Sequence, residues 1–192
     1  MAVKILLASR EGLSALTEVN HSAYSLELLA RFADERWADI NYMFNFLKGR
    51  LAARYNHAGT GKVVGFACWT HEIASDEVDP TPMATIVSKM PPTVNVEFMK
   101  TVGPEFEQLR EHMKGEERYY LSSFAVELSQ QNKGIGSQLL NHCLQIVDDA
   151  ALPTWLISFP RSHDLYVRFR FCDNRMRVYG VYRQYAMVRR LK

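Results

Sequence analysis

The chain has 192 residues, 47% of them apolar, enough to bury a core and to fill a single domain over residues 1–192. Its 23 basic and 21 acidic residues leave a formal charge of +2, which gives no pull toward nucleic acid. No apolar run approaches the length of a membrane span, and the N-terminal apolar stretch is too short for a secretory leader.

Cys68, Cys143 and Cys172 are widely spaced, which fits reduced thiols in a cytoplasmic protein. The six histidines form no ligand-like cluster, so no metal is expected. Val3 to Ala8 reads as a first strand. Ser9 is the expected N-cap of a helix whose apolar stripe is Leu13, Leu16, Val19 and Ala23. A second helical region is expected from Leu26 to Leu51, with Phe32, Trp37 and Phe44 among its apolar residues. His57 to Gly61 is a turn cluster, and Lys62 to Thr70 is a strand that pairs with a weak strand at Ala52–Tyr55. Glu72 to Thr93, with four prolines, reads as a long loop or lid, and Val94 to Met113 returns to helical spacing.

The most informative stretch is Tyr119 to Val147. A buried strand is predicted over Tyr119–Val126 and a polar loop over Glu127–Lys133. Gly134-Ile135-Gly136 follows, then a helix with Leu139, Leu140, Cys143, Leu144 and Val147 on one stripe. Glycines at a strand-to-helix junction expose backbone N–H groups and the positive end of a helix dipole, an anion site suited to phosphate. The same glycines also fit plain turn geometry. The dinucleotide fingerprint is excluded because Leu occupies position 139, and the P-loop spelling is absent. Downstream, Thr154–Phe159 is a strand that Pro160 stops, Ser162–Phe169 a short helix, and a final pair of strands ends at Tyr185–Val188. No repeat or low-complexity segment is present.

Gln131-x-x-Gly134-x-Gly136, preceded by Phe124-Ala125-Val126, resembles the coenzyme A pyrophosphate loop of the GNAT acyltransferases. Leu165-Tyr166-Val167-Arg168-Phe169-Arg170-Phe171 is similar to that family's L-Y-x-x-x-G-F, and Pro153-Thr154-Trp155-Leu156 to its P-x-Y/W-L. Gly61, Val64, Gly65, Ala67 and Trp69 resemble a strand of its puromycin N-acetyltransferase-like fungal and bacterial branch. The resemblance implies an α+β fold of three layers. Its central sheet would be mixed and mainly antiparallel, of about six to seven strands, flanked by helices.

By the same resemblance the protein would be an acetyl-CoA-dependent N-acetyltransferase acting on a small-molecule amine by direct attack in a ternary complex. The Phe124 backbone would face the thioester carbonyl, the Val126 backbone would hold the pantetheine arm, and Ala125 would belong to the cofactor-binding set. Gln131, Asn132, Lys133, Gly134, Ile135, Gly136 and Ser137 would wrap the pyrophosphate, with Ser162 also among the cofactor-binding residues. Tyr166 would be the general acid for the leaving thiolate, since a phenol of pKa about 10 can donate a proton at neutral pH. Glu27, Glu117, His163 and Asp164 are candidate bases, none preferred over water. Three departures from the family pattern are visible: Leu128 for a common proline, Arg170 for the helix-ending glycine, and Ile157 with Phe159 where many members carry L-E-A-S. They leave two alternatives, a CoA-binding module without catalysis or other chemistry on a bulky apolar substrate.

Overall fold

The structure of the chain, a computed structural model, describes residues 12–32, 63–73, 115–179 and 182–190, with positions 5, 100, 104, 108, 109, 111 and 113. Its elements are α1 (Leu13–Phe32), β1 (Gly65–Glu72), β2 (Arg118–Val126), a 3-10 turn (Leu128–Gln130), α2 (Ile135–Asp149), β3 (Thr154–Ser158), α3 (Pro160–Arg168), β4 (Cys172–Tyr179) and β5 (Tyr182–Arg189). The sheet runs in the order β1-β2-β3-β5-β4. β2 and β3 are parallel, with Tyr119 opposite Thr154 and Leu121 opposite Leu156. β5 lies antiparallel to both β3 and β4. The fold is therefore α+β with a mixed sheet, as expected, and shows five strands among the described residues. The strands expected at Val3–Ala8 and Ala52–Tyr55, and most of the loop expected after Glu72, lie outside them.

Two elements differ from their expected limits. α1 passes through Ser25 to Phe32 as one helix, because nothing in that stretch is a glycine or proline that would interrupt it. Pro160 opens α3 as well as closing β3: at the first helical position its missing N–H would be unpaired anyway, and its fixed φ suits the helix.

The chain divides into two compact units, one of Met1–Cys68 with Ser123–Ile146, the other of Trp69–Ser122 with Val147–Lys192. In the first, α1 buries Leu16, Val19 and Ala23, and α2 buries Ile135, Leu140 and Leu144, as an amphipathic stripe should. Phe66, Cys68, Ala125 and Val126 are also buried there.

The second unit centres on Trp155, fully buried, with Met113 and Val188 and with Tyr120 and Ile157 packed against them. Tyr120 stacks on the indole at 4.3 Å between ring centroids. A charged group enters this core. Arg118, 7% exposed, donates from Nε to Glu72 Oε2 at 2.7 Å, and the same oxygen accepts from Trp155 Nε1 at 3.0 Å. Arg118 also donates to the Glu116 carbonyl at 2.9 Å. A buried ion pair persists only when its remaining polar atoms find partners in this way. At the end of the chain Arg189 makes a two-pronged contact with Asp148.

Candidate functional site

In the first unit, β2 ends at Val126 and the chain turns through Leu128–Gln130 into the loop 131–134. Side chains of the loop tie it shut. Gln131 donates from Nε2 to the Val126 carbonyl at 2.9 Å, and Lys133 donates from Nζ to the Ser129 carbonyl at 2.8 Å and to Gln130 Oε1 at 3.2 Å. The ammonium of Lys133 is therefore held beside the loop.

Asn132 and Gly134 both take left-handed backbone, φ 59 and 79, on either side of Lys133. Asparagine tolerates that region better than most residues, and glycine enters it without steric penalty. Such an alternation turns successive N–H groups toward a common concavity. α2 starts immediately afterwards, its first backbone bond running from Gln138 N to the Gly134 carbonyl at 3.0 Å. The N–H groups of Ile135, Gly136 and Ser137 precede that first bond and belong to the unsatisfied start of the helix, where its dipole is positive. Loop and helix start together present donors suited to an anion larger than one phosphate oxygen can satisfy.

The two glycines have different tasks. Gly134 is favoured by its φ, which a residue with a Cβ enters only at a penalty. At Gly136 a Cβ would meet the Phe124 ring and Val126 Cγ2 at 3.7 Å, an ordinary contact, so this position accommodates more than glycine. Gly65 meets the tightest approach: a Cβ there would stand 3.1 Å from the Ala125 carbonyl oxygen. Phe124, Ala125, Val126 and the run Gln131–Ser137 are thus brought together in one unit.

Tyr166 and Ser162 belong to the second unit, on α3. Tyr166 is 5% exposed and its ring meets that of Phe171 edge-on at 5.8 Å. The turn after α3 explains this contact. Phe171 N bonds the Tyr166 carbonyl at 3.1 Å and Arg170 N bonds the Val167 carbonyl at 3.0 Å, the paired reverse bonds that close a helix through a left-handed residue. That residue is Arg170, φ 66, so the glycine geometry is kept without the glycine. Ser162 turns its hydroxyl to the Phe159 carbonyl at 3.3 Å and to Ser158 Oγ at 3.4 Å.

Of the candidate bases, Glu117 is exposed and pairs with His71 at 2.8 Å. His163 pairs with Asp173 at 2.7 Å through Nε2 and lies 3.5 Å from Asp164 through Nδ1. The side chain of Glu27 is outside the described residues. Ile157 belongs to the apolar cluster around Trp155, which accounts for a hydrocarbon side chain there. Among the described residues no group of His, Cys, Asp and Glu is placed to hold a metal ion, and no helix is long and apolar enough to cross a membrane.

Residues 14–171 match the sequence model of the acetyltransferase (GNAT) family. The chain belongs to the GNAT acetyltransferases. No curated protein matches it. Solved structures share the GNAT fold at low identity. A Corynebacterium glutamicum protein described as histone acetyltransferase HPA2 and related acetyltransferase is 17% identical, with TM-score 0.62 over 99% of this chain and 97% of that one. Protein PH1933 of Pyrococcus horikoshii is 19% identical, with TM-score 0.59 over the same shares. The PaiA N-acetyltransferase of Thermoplasma acidophilum, solved with coenzyme A, is 12% identical, with TM-score 0.55 over the whole of both chains. Acetyl-CoA is the cosubstrate of the GNAT family.

Two side-chain contacts to the end of β2 and the turn after it were not legible in the sequence. Tyr24 donates its hydroxyl to the Phe124 carbonyl, and Ser22 Oγ accepts from Leu128 N at 2.9 Å. Their partners stand 100 and 106 positions away, beyond the reach of any local pattern.

Proposed function

We propose that this GNAT protein transfers an acetyl group from acetyl-CoA to the amine of a small molecule by direct attack in a ternary complex. The observation that carries the reading is the left-handed pair Asn132 and Gly134 at the start of α2, closed by Gln131 and Lys133. A pyrophosphate carries charge spread over several oxygens, and this loop supplies several convergent N–H donors and one ammonium. The backbone from Gln131 to Ser137 takes the pyrophosphate; Val126 takes the pantetheine arm and Phe124 the thioester carbonyl. Gly136 keeps this face low, and Ser162 completes the cofactor-binding set.

Tyr166 protonates the departing thiolate as the new amide forms. A general acid must be fixed in direction, and the edge-on contact with Phe171 and the closed turn at Arg170 fix the ring. On the attacking side no base is assigned for the proton of the amine: Glu27, Glu117, His163, Asp164 and water are alternatives of equal standing. The close approach of Gly65 to Ala125 also supports the puromycin N-acetyltransferase-like branch, because glycine is the motif residue at that place.

The test is a thermal-shift titration with acetyl-CoA, free CoA and ATP on the wild type and on a Gly134→Glu, Gly136→Glu double variant. Ligand that binds only the native state raises the midpoint by mass action. Both CoA forms are expected to raise it, and the variant, checked for native circular dichroism, is expected not to respond. No shift from well-folded wild type removes the transferase reading. Amine acceptors are then screened by release of free CoA thiol.

A further inference from the structure

Two donors from different parts of the chain close on one strand edge. Backbone groups of successive strand residues point alternately to opposite edges. Glu127 N bonds the Val64 carbonyl at 2.8 Å, and the Ala125 carbonyl is the atom that crowds Gly65, so residues 125 and 127 address β1. Phe124 and Val126 address the other edge. There the Phe124 carbonyl accepts the Tyr24 hydroxyl and the Val126 carbonyl accepts the Gln131 amide. The Val126 N–H lies between these two capped carbonyls.

An oxygen atom approaching that N–H would ordinarily face the negative ends of both neighbouring carbonyl dipoles. The phenol and the amide offset those ends. They also fix the peptide planes on either side, and Ser22 fixes the Leu128 N–H next along the chain. We infer that Tyr24 is a positioning residue for the cosubstrate, holding the Phe124 carbonyl so that Val126 receives a carbonyl oxygen of the pantetheine arm. This rests on the acetyl-CoA reading of the loop and adds to it a selection of ligand chemistry, acceptor oxygens over N–H groups, made by a residue of α1.

The experiment is calorimetric titration of the wild type and Tyr24→Phe with two probes, acetyl-CoA and ADP. ADP carries the pyrophosphate and no pantetheine arm. Loss of the hydrogen bond that holds the Phe124 carbonyl is expected to weaken acetyl-CoA by about fivefold to tenfold while ADP stays within about twofold. The thermal midpoint of the unliganded variant is measured alongside and is expected to stay close to wild type. Equal weakening of both probes marks general damage and overturns the inference, as does unchanged or tighter acetyl-CoA binding, and in each of these cases the wild-type titration still stands for the loop. Wild type that binds neither probe removes the reading of the loop, and the inference with it.

Discussion

Arg170 holds a left-handed backbone that side chains with a Cβ enter at a penalty, and it does so to bring Phe171 back over Tyr166. Arg170→Gly is expected to raise the unfolding free energy by about 1 kcal/mol, read from the urea midpoint at unchanged slope. The reverse bonds to Tyr166 and Val167 would remain. Tyr166→Phe tests the chemistry apart from the fold: kcat is expected to fall by about a hundredfold or more with little change in midpoint. A fall in KM-dependent terms alone would place Tyr166 in binding and not in proton transfer. Arg170 and Tyr166 were both readable in the sequence because they sit in one short motif. Tyr24 was not readable, since its hydrogen bond joins α1 to a carbonyl 100 residues on.

At the scale of elements, periodicity located β2, α2, β3 and α3 to within a few residues, since each combines an apolar pattern with clear punctuation. It misjudged α1, where Ser25 looked like a boundary between helices and is not. The pairing of β1 and β2 with charged ends inside the second core was hidden as well: Glu72 and Arg118 lie 46 positions apart, and each alone resembles a surface residue. Their energetics follow from burial. Arg118→Met removes the guanidinium paired with the Glu72 carboxylate and is expected to cost about 3 kcal/mol or more. Replacing both, Arg118→Met with Glu72→Leu, is expected to recover most of that loss, because desolvation of two charges is then avoided. Chemical denaturation of the single and double variants measures the difference.

For the whole molecule, β1, β2 and α2 each belong in part to both compact units. Half a strand cannot melt while its continuation stays paired without leaving backbone groups exposed at the break, so one cooperative transition is expected. The tryptophans permit a direct check. In a Trp37→Phe background the remaining indoles, Trp69 and Trp155, both lie in the second unit, whereas the proposed pyrophosphate loop lies in the first. Acetyl-CoA is expected to move the fluorescence-detected denaturation midpoint of that variant upward. A midpoint that ignores the ligand while calorimetry shows binding would mean two independent folding units. Composition suggested one domain, but composition carries no information on how cooperative the domain is.

The capped carbonyls of Phe124 and Val126 also bear on self-association. A bare strand edge invites another chain because it offers acceptors and donors in alternation, and that alternation is what aggregating strands copy. With a phenol and an amide covering the acceptors of Phe124 and Val126, the end of β2 beyond its pairing with β3 offers an intruding strand only half a ladder. The same two side chains that suit the edge to one small cosubstrate also make it a poor template for a second polypeptide.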